Sequence, residues 1–373
     1  MRNVVIAGYA RSPFHFANKG ALTKVRPDDM VAAVVKALVE RTGVDPGDIE
    51  DLILGNAFPE GEQGFNMARN VVFLAGLPKS VAGTTVNRFC GSSMQSIHMA
   101  AGAIQLGAGE AFICAGVESM TRIPMGGFNP MPNPTLATNT AAYISMGQTA
   151  ENLASRYQIT RQDQQAMAVD SHRKAAAAQA AGKFADEIVA IDGVTADGCI
   201  RPDTTQEALS GLKPAFSTEG TVTAGTSSPL TDGASATLVT SEEYAKAHGL
   251  KILARIRSVA VAGCDAEIMG IGPVPATQKA LQRAGLQVKD IDIVELNEAF
   301  AAQALACVRD LAIPMDRINL DGGALALGHP LGATGARITG KAAALLKREG
   351  KQFALATQCI GGGQGIATVL EAV

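Results

Sequence analysis

Two cysteines, one histidine and one Asn-Glu pair stand where this chain could do chemistry. Cys90 lies in Thr84-Thr-Val-Asn-Arg-Phe-Cys-Gly-Ser-Ser-Met-Gln-Ser-Ile-His98, where a β-branched run gives way to an apolar-periodic segment. A cysteine that opens a helix meets unpaired backbone N–H groups and the positive end of the helix dipole. Both favour a thiolate and lower a pKa ordinarily near ~8.5. Gly91 beside it lets a substrate come close to the backbone. The other reading of a free cysteine is a small buried hydrophobe, and local context leaves both open for Cys90. It favours the second for Cys114, Cys264 and Cys307, which sit in apolar segments, and leaves Cys199 incidental in a Gly-rich turn.

His329 lies in Gly328-His-Pro-Leu-Gly-Ala-Thr-Gly335. A neutral imidazole at a strand-to-helix turn can take a thiol proton, or can simply be satisfied by turn backbone. His15 and His248 have loop-like surroundings and His98 and His172 fall in helical patterns, so these four are read as structural or solvent-facing. Cys359 precedes three glycines in Gln358-Cys-Ile-Gly-Gly-Gly-Gln-Gly365. That places it at a strand end aimed into a crowded pocket, with backbone N–H groups suited to an oxyanion hole. Asn297-Glu-Ala-Phe300 follows a strand directly. Alone it means little, because Asn and Glu are ordinary helix-start residues.

The elements that must position these residues occur twice. Asp51–Asn56 and Asp292–Asn297 read as matching strands, each followed by a helix, around Met67–Leu74 and over Glu298–Leu311. Thr84–Asn87, the Cys90 turn and a helix to about Leu106 match Ile318–Leu320, the His329 turn and a helix over Thr334–Lys347. Ala111–Ala115 mirrors Phe353–Thr357, and Ala234–Thr240 mirrors Gly365–Glu371. The spacings agree: Asn56 to Cys90 is 34 positions and Asn297 to His329 is 32. Alternating strands and helices predict mixed, mainly parallel sheets covered by helices. Two such halves back to back would bring the Cys90 and His329 turns together.

An insertion of roughly 119–222 separates matching segments. Arg122–Pro134 holds four prolines and two glycines in thirteen residues and reads as a loop. Helical patterns follow over Thr149–Arg156 and Gln162–Ala181. So long an insertion suggests a lid or binding wall. The expected division is an N-terminal half (1–118 with 223–248), the inserted loop domain (119–222) and a C-terminal half (249–373).

Bulk numbers narrow the function classes. The 373 residues suffice for a large buried core, and 47% hydrophobic against 18% charged residues describes a globular chain. A formal net charge of −3 gives no electrostatic reason to expect nucleic acid or an anionic membrane. Six cysteines with no CxxC pair argue against a disulfide framework or a zinc site. The N-terminus runs straight into Val4–Gly8, a core-strand pattern, so the expected location is the cytoplasm.

Taken together, Asn87-Arg-Phe-Cys-Gly-Ser-Ser-Met-Gln95, Asn297–Phe300, Gly328–Gly335 and Cys359–Gly365 resemble the signature set of the thiolases, in the family's order and at similar spacing. The resemblance spans the whole chain and includes Met146–Asn152 and Thr223–Ser228. It implies a five-layered αβαβα fold, an α/β architecture of two duplicated mixed-sheet halves. It implies acyl transfer between coenzyme A thioesters, with CoA as substrate and no resident cofactor or metal. By matching positions, Cys90 would be the acylated nucleophile, His329 its activator and Cys359 the second acid/base. Asn297, through a water, and His329 would form one oxyanion hole, and the backbone N–H groups of Cys90 and Gly361 the other. Ser258 and Met146 would contact the pantetheine, with Ala299 and Phe300 also on the substrate side.

One departure bears on the branch. Acetoacetyl-specific, biosynthetic thiolases carry a histidine before the Met-Gly pair, where this chain has Ser145. The 122–142 loop is also shorter than theirs and lacks their tetramerisation hairpin. Both features point to a degradative 3-ketoacyl-CoA thiolase, a homodimer or homotetramer, with a hydratase/dehydrogenase subunit as a conceivable partner. The alternatives are the biosynthetic acetoacetyl-CoA enzyme, a decarboxylating ketosynthase and a non-catalytic lipid carrier. Cys359 argues against the ketosynthase, and Cys90 with His329 against the carrier.

Overall fold

A computed structural model describes residues 2–373. β1 (Val4–Arg11) is buried at every position, as its run of small and β-branched residues requires. A two-residue strand β2 (His15–Phe16) follows. α1 (Pro27–Thr42) starts on a proline, carries Asp28 and Asp29 in its first turn and stops at Gly43, whose φ is 70°. Then come β3 (Ile49–Gly55), α2 (Met67–Leu74), β4 (Ala82–Val86), α3 (Ser92–Gln105) and β5 (Ala111–Ser119).

The 119–222 stretch carries α4 (Pro134–Asn139), α5 (Met146–Arg156), α6 (Arg161–Ala180) and α7 (Gln206–Ser210). Thr160 and Asp163 form a capping box that starts α6. The chain returns through β6 (Thr231–Ser241) and α8 (Glu242–Ala247). It continues with β7 (Ala254–Gly263), α9 (Pro273–Ala284), β8 (Ile293–Leu296), α10 (Ala301–Leu311), α11 (Ala324–Leu327), α12 (Leu331–Glu349), β9 (Phe353–Ile360) and β10 (Gln364–Glu371).

The strands join in the order β4-β3-β5-β6-β1-β7-β10-β9-β8, with β2 on β6. β3 pairs parallel with β4 and β5, and β8 parallel with β9; the other neighbours are antiparallel. The centre is thin. β1 and β7 share only Val5↔Arg255 and Ile6↔Ala254. Outward from that hinge the two halves repeat, β1-β6-β5-β3-β4 against β7-β10-β9-β8. The strand predicted at Ile318–Leu320 shrinks to one parallel bridge, Val294↔Ile318. Its continuation is lost because Asn319 adopts φ 46° and bonds β8 through its side chain, accepting from Leu296 N–H (3.0 Å) and donating to Leu296 O (2.9 Å).

α3 and α12 lie between the two halves, and α12 touches strands of both. α1 and α2 cover one outer face, and α9 the other, with α10 packed beside it. This is the five-layered αβαβα arrangement. The central helices cross closely at Gly335, where a Cβ would come within 2.2 Å of the Met94 backbone nitrogen. Gly116 and Gly332 permit a similar approach, a Cβ on Gly116 falling 2.1 Å from the Gly332 carbonyl oxygen. The high glycine content therefore lets the starts of α3 and α12 sit directly on the strand ends.

Candidate active site

Cys90 sits in the single turn Phe89–Gly91 that leads into α3. Phe89 holds φ 43°, a costly value for an aromatic residue. Local bonds hold it there: Phe89 N–H donates to Asn87 Oδ1 (2.8 Å), Arg88 N–H to Ser92 Oγ (2.9 Å) and Ser92 O–H to the Phe89 carbonyl (2.6 Å). Gln358 of β9 donates to the Cys90 carbonyl, which ties the turn to the other half.

The expected low thiol pKa is overturned. Burial pushes the Cys90 thiol up to about 11, against the opposing N–H groups of Gly361 and of Cys90 itself, and Glu118 adds to the rise. A helix end supplies about half a charge, too little to offset full desolvation with no cation beside the sulfur. The resting group is therefore a thiol.

His329 lies between α11 and α12. Its backbone N–H donates to Thr231 Oγ1 (3.0 Å) and its Nδ1 lies 2.6 Å from Thr334 Oγ1. Thr334 gives its only proton to the Pro330 carbonyl (3.0 Å). Nδ1 therefore carries the ring proton and donates to Thr334, and Nε2 is the unprotonated, accepting nitrogen. Asn297 Nδ2 faces that Nε2 at 3.3 Å. Burial, then the charge of Arg337, pushes His329 down to about 3, so the imidazole is neutral at ordinary pH.

Asn297 follows β8, its N–H donating to the Thr357 carbonyl (3.0 Å). Its Oδ1 is buried without a partner. Residues 297–300 stay outside the helix, with Phe300 extended, and α10 begins only at Ala301. Glu298 is pulled away from a helix-start position. It accepts from Ser171 Oγ (2.7 Å), Asn319 Nδ2 (2.7 Å) and Leu325 N–H (3.2 Å), anchoring the segment to α6 and α11.

Cys359 is level with Gly365 between β9 and β10 and fully buried. It packs with Met269, Ala299, Met146 and Phe300 behind the pocket wall rather than on its surface. Burial holds its thiol well above the ordinary value, and Cys90 is the second cause. The two sulfurs are thus close enough that a thiolate on one opposes a thiolate on the other.

The pocket itself encloses about 200 Å³. Cys90 and His329 line it together with Met146, Ala299 and Phe300. Gly361 reaches Cys90 through its N–H, and its Cα faces Met146 and Phe89. Ser258 is elsewhere. It lies on β7 opposite Val369, and its hydroxyl donates to the Ala280 carbonyl of α9 (2.7 Å). The serines on the pocket are Ser227 and Ser228, in the Thr223–Ser228 run. Ser228 N–H donates to the Ala299 carbonyl (2.9 Å). Phe216 also lines it, edge-on to Phe300 at 5.8 Å. No sequence signal marked Phe216, which stands alone in a polar stretch.

Glu118 also carries no such signal. At the end of β5 it accepts from Ala57 N–H (2.9 Å), Gln63 Nε2 (2.8 Å) and Gly332 N–H in the first turn of α12 (2.9 Å). It thereby fixes the His329 turn against the half that carries Cys90.

A buried thiol, a neutral imidazole with an unprotonated nitrogen and a carboxamide, set beneath an apolar pocket, equip an enzyme for acyl transfer through a cysteine. The chain belongs to the thiolase family: residues 4–243 match the thiolase N-terminal domain and residues 250–372 the thiolase C-terminal domain. It is 53% identical over 387 residues to a 3-ketoacyl-CoA thiolase of Shewanella loihica and 49% identical over 389 residues to one of Bacillus subtilis, each alignment covering 100% of both chains. Human mitochondrial 3-ketoacyl-CoA thiolase in complex with CoA superposes with a TM-score of 0.92 at 39% identity, covering 100% of this chain and 98% of that one. Bacillus anthracis acetyl-CoA acetyltransferase gives 0.92 at 40% identity, covering 100% and 99%. The fold therefore does not by itself separate the two activities.

Proposed function

We propose that the chain is a 3-ketoacyl-CoA thiolase that cleaves 3-ketoacyl-CoA to acetyl-CoA and a shortened acyl-CoA. The observation that carries this reading is the placement of Cys90 and the neutral His329 on one apolar pocket, with the second thiol, Cys359, buried directly behind its wall. His329 Nε2 takes the Cys90 proton as the sulfur attacks the 3-keto carbon. The C2–C3 bond then breaks, the acyl group stays on Cys90, and Cys359 protonates the departing acetyl-CoA carbanion. Cys359 then accepts the proton of an incoming CoA thiol, whose sulfur displaces the acyl group, and His329 returns its proton to the departing Cys90 sulfur. Each half-reaction develops negative charge on an oxygen. One donor set is the N–H of Cys90 and Gly361; the other is His329 with Asn297 through a water. A thioester intermediate resembles the substrate in energy, so the cycle runs either way.

Met146, Ala299, Phe300 and Ser227–Ser228 are the contacts we assign to the acyl-pantetheine chain; Ser258, bonded into the outer layer, is not among them. Ser145, which accepts from Gln148 N–H (3.3 Å) as the cap of α5, lines the same pocket. We read the protein as a cytoplasmic homodimer. Support comes from β4, an unpaired sheet edge, beside exposed Phe65, Phe73 and Leu74. No surface is assigned to a hydratase/dehydrogenase subunit.

The test is CoA-dependent thiolysis of 3-ketoacyl-CoAs from four carbons to about sixteen. Cleavage of medium and long chains supports the degradative reading. Cleavage of the four-carbon substrate alone would make the chain an acetoacetyl-CoA thiolase instead. No cleavage at all would remove Cys90, His329 and Cys359 from their catalytic roles.

A further inference from the structure

A second cleft, of about 350 Å³, lies at the far end of α12 and shares no residue with the Cys90 pocket. Its lining begins at Lys341, ten positions or roughly 15 Å along the helix from Leu331. The thiolase reading gives it no task. Its charge is lopsided: Arg41, Lys183, Lys251, Lys341, Lys347 and Arg348 line it, against Asp186 and Glu187.

Part of that charge is already used. Lys341 pairs with Glu187 (3.0 Å) and with Asp321 (2.8 Å), and Asp321 also takes Arg348 (2.6 Å) and Lys183 (3.7 Å). The rest is not. Arg41 donates only to the carbonyls of Asp186 (3.0 Å) and Ile188 (2.8 Å). Among the described residues, Lys251 and Lys347 have no carboxylate in ion-pair reach. The ends of α1 and α12 oppose an anion weakly, and Glu349 also pairs with Arg348 (2.7 Å), but six cations face only four carboxylates, Asp186, Glu187, Asp321 and Glu349. In a cleft this excess focuses the field and concentrates anions.

The floor of the cleft is closed by Tyr9, whose hydroxyl is buried beneath it. Behind Tyr9 the buried Arg337–Glu295 pair (2.8 Å) adds no net charge. Leu38, Leu253 and Leu345 supply an apolar wall beside the cations.

The geometry points to a binding site in this cleft for a compact small-molecule polyanion, one that carries a diphosphate or an equivalent pair of anionic groups on a small apolar body. It is separate from the CoA pocket.

The test titrates inorganic pyrophosphate, and then ADP, into the whole enzyme by calorimetry at about 0.1 M salt, where unspecific surface attraction is largely screened. Saturable binding of one anion per chain is expected, undiminished when CoA fills its own pocket. Lys251→Glu with Lys347→Glu should weaken it at least tenfold while thiolysis stays at the unsubstituted rate, since both side chains are exposed and remote from Cys90. Absence of saturable binding, binding that survives the double substitution, or binding that CoA displaces would each overturn the assignment. So would retention of an RNA oligonucleotide with no response to pyrophosphate, which would make this face a nucleic-acid surface.

Discussion

At the residue scale the site works by withholding charge. Cys90 is held protonated with a pKa of about 11 and His329 neutral with a pKa of about 3, so no ion pair rests in the pocket. In the proposed cycle deprotonation is coupled to attack, at a sulfur faced by the Gly361 and Cys90 N–H groups. The two thiols then separate cleanly by substitution. Cys90→Ala should abolish the covalent acyl-enzyme, and Cys359→Ala should still acylate but fail to turn over, losing on the order of 10²-fold or more in steady-state rate. Mass spectrometry of enzyme mixed with acyl-CoA reads the first, and turnover the second. Acylation of Cys90→Ala, or normal turnover of Cys359→Ala, would reverse the assignment. The positions of Cys90 and His329 were legible in the sequence because strand-to-helix turns advertise themselves. The thiol's protonation was not, because its burial comes from Ala17, Ala57, Met120 and Leu331, which reach Cys90 from distant parts of the chain.

At the scale of elements, catalysis rests on how α3 and α12 meet. Each follows directly on the turn that carries one of the residues we assign to catalysis, and the two helices touch at Gly335 over Met94 with no room for a methyl group. Gly335→Ala must move one helix or the other. Overpacking of this kind costs about 1–3 kcal/mol, occasionally more. The larger effect should be on Cys90 acylation, since a displacement near 1 Å misaligns sulfur and imidazole and can cost ~10² in rate. Urea unfolding and single-turnover acylation measure the two effects. A destabilised variant with an unchanged acylation rate would show that the crossing does not set the alignment. Helix and strand identities were readable from period and turn chemistry, and α2 falls on the limits expected for it. The delayed start of α10 was not readable. Glu298 looks like a helix-start residue, and only its partners Ser171 and Asn319, far off in sequence, explain why it is not one.

At the scale of the whole molecule, the duplication was visible as matched spacings, whereas the hinge was not. Nothing in Val4–Arg11 or Ala254–Gly263 announces that these strands share just two residue pairs and leave the central helices to hold the halves together. His329 stands at that junction. Its main chain bonds Thr231 of β6 and its ring faces Asn297 beyond β8. Protonating it would place a cation against an N–H donor and near Arg337, deep in the buried site. This makes the union of the halves sensitive to acid. The folded pKa, about 3, lies below the unfolded value near 6.5, so the unfolded chain binds the extra proton between them. Stability is therefore complete above pH ~6.5 and declines as pH falls toward 3, at roughly 1.4 kcal/mol per pH unit for this one group. Glu295, raised by burial to about 7, works in the opposite direction. It is common to both proteins in a comparison of the unsubstituted chain with His329→Asn, and cancels there. Urea unfolding at pH 6.5 and pH 5 should show the unsubstituted protein losing about 1.7 kcal/mol more than His329→Asn over that interval. Equal losses would mean that His329 is protonated in the folded state without penalty. Its neutrality, and with it the base assigned to Cys90, would then have to be abandoned.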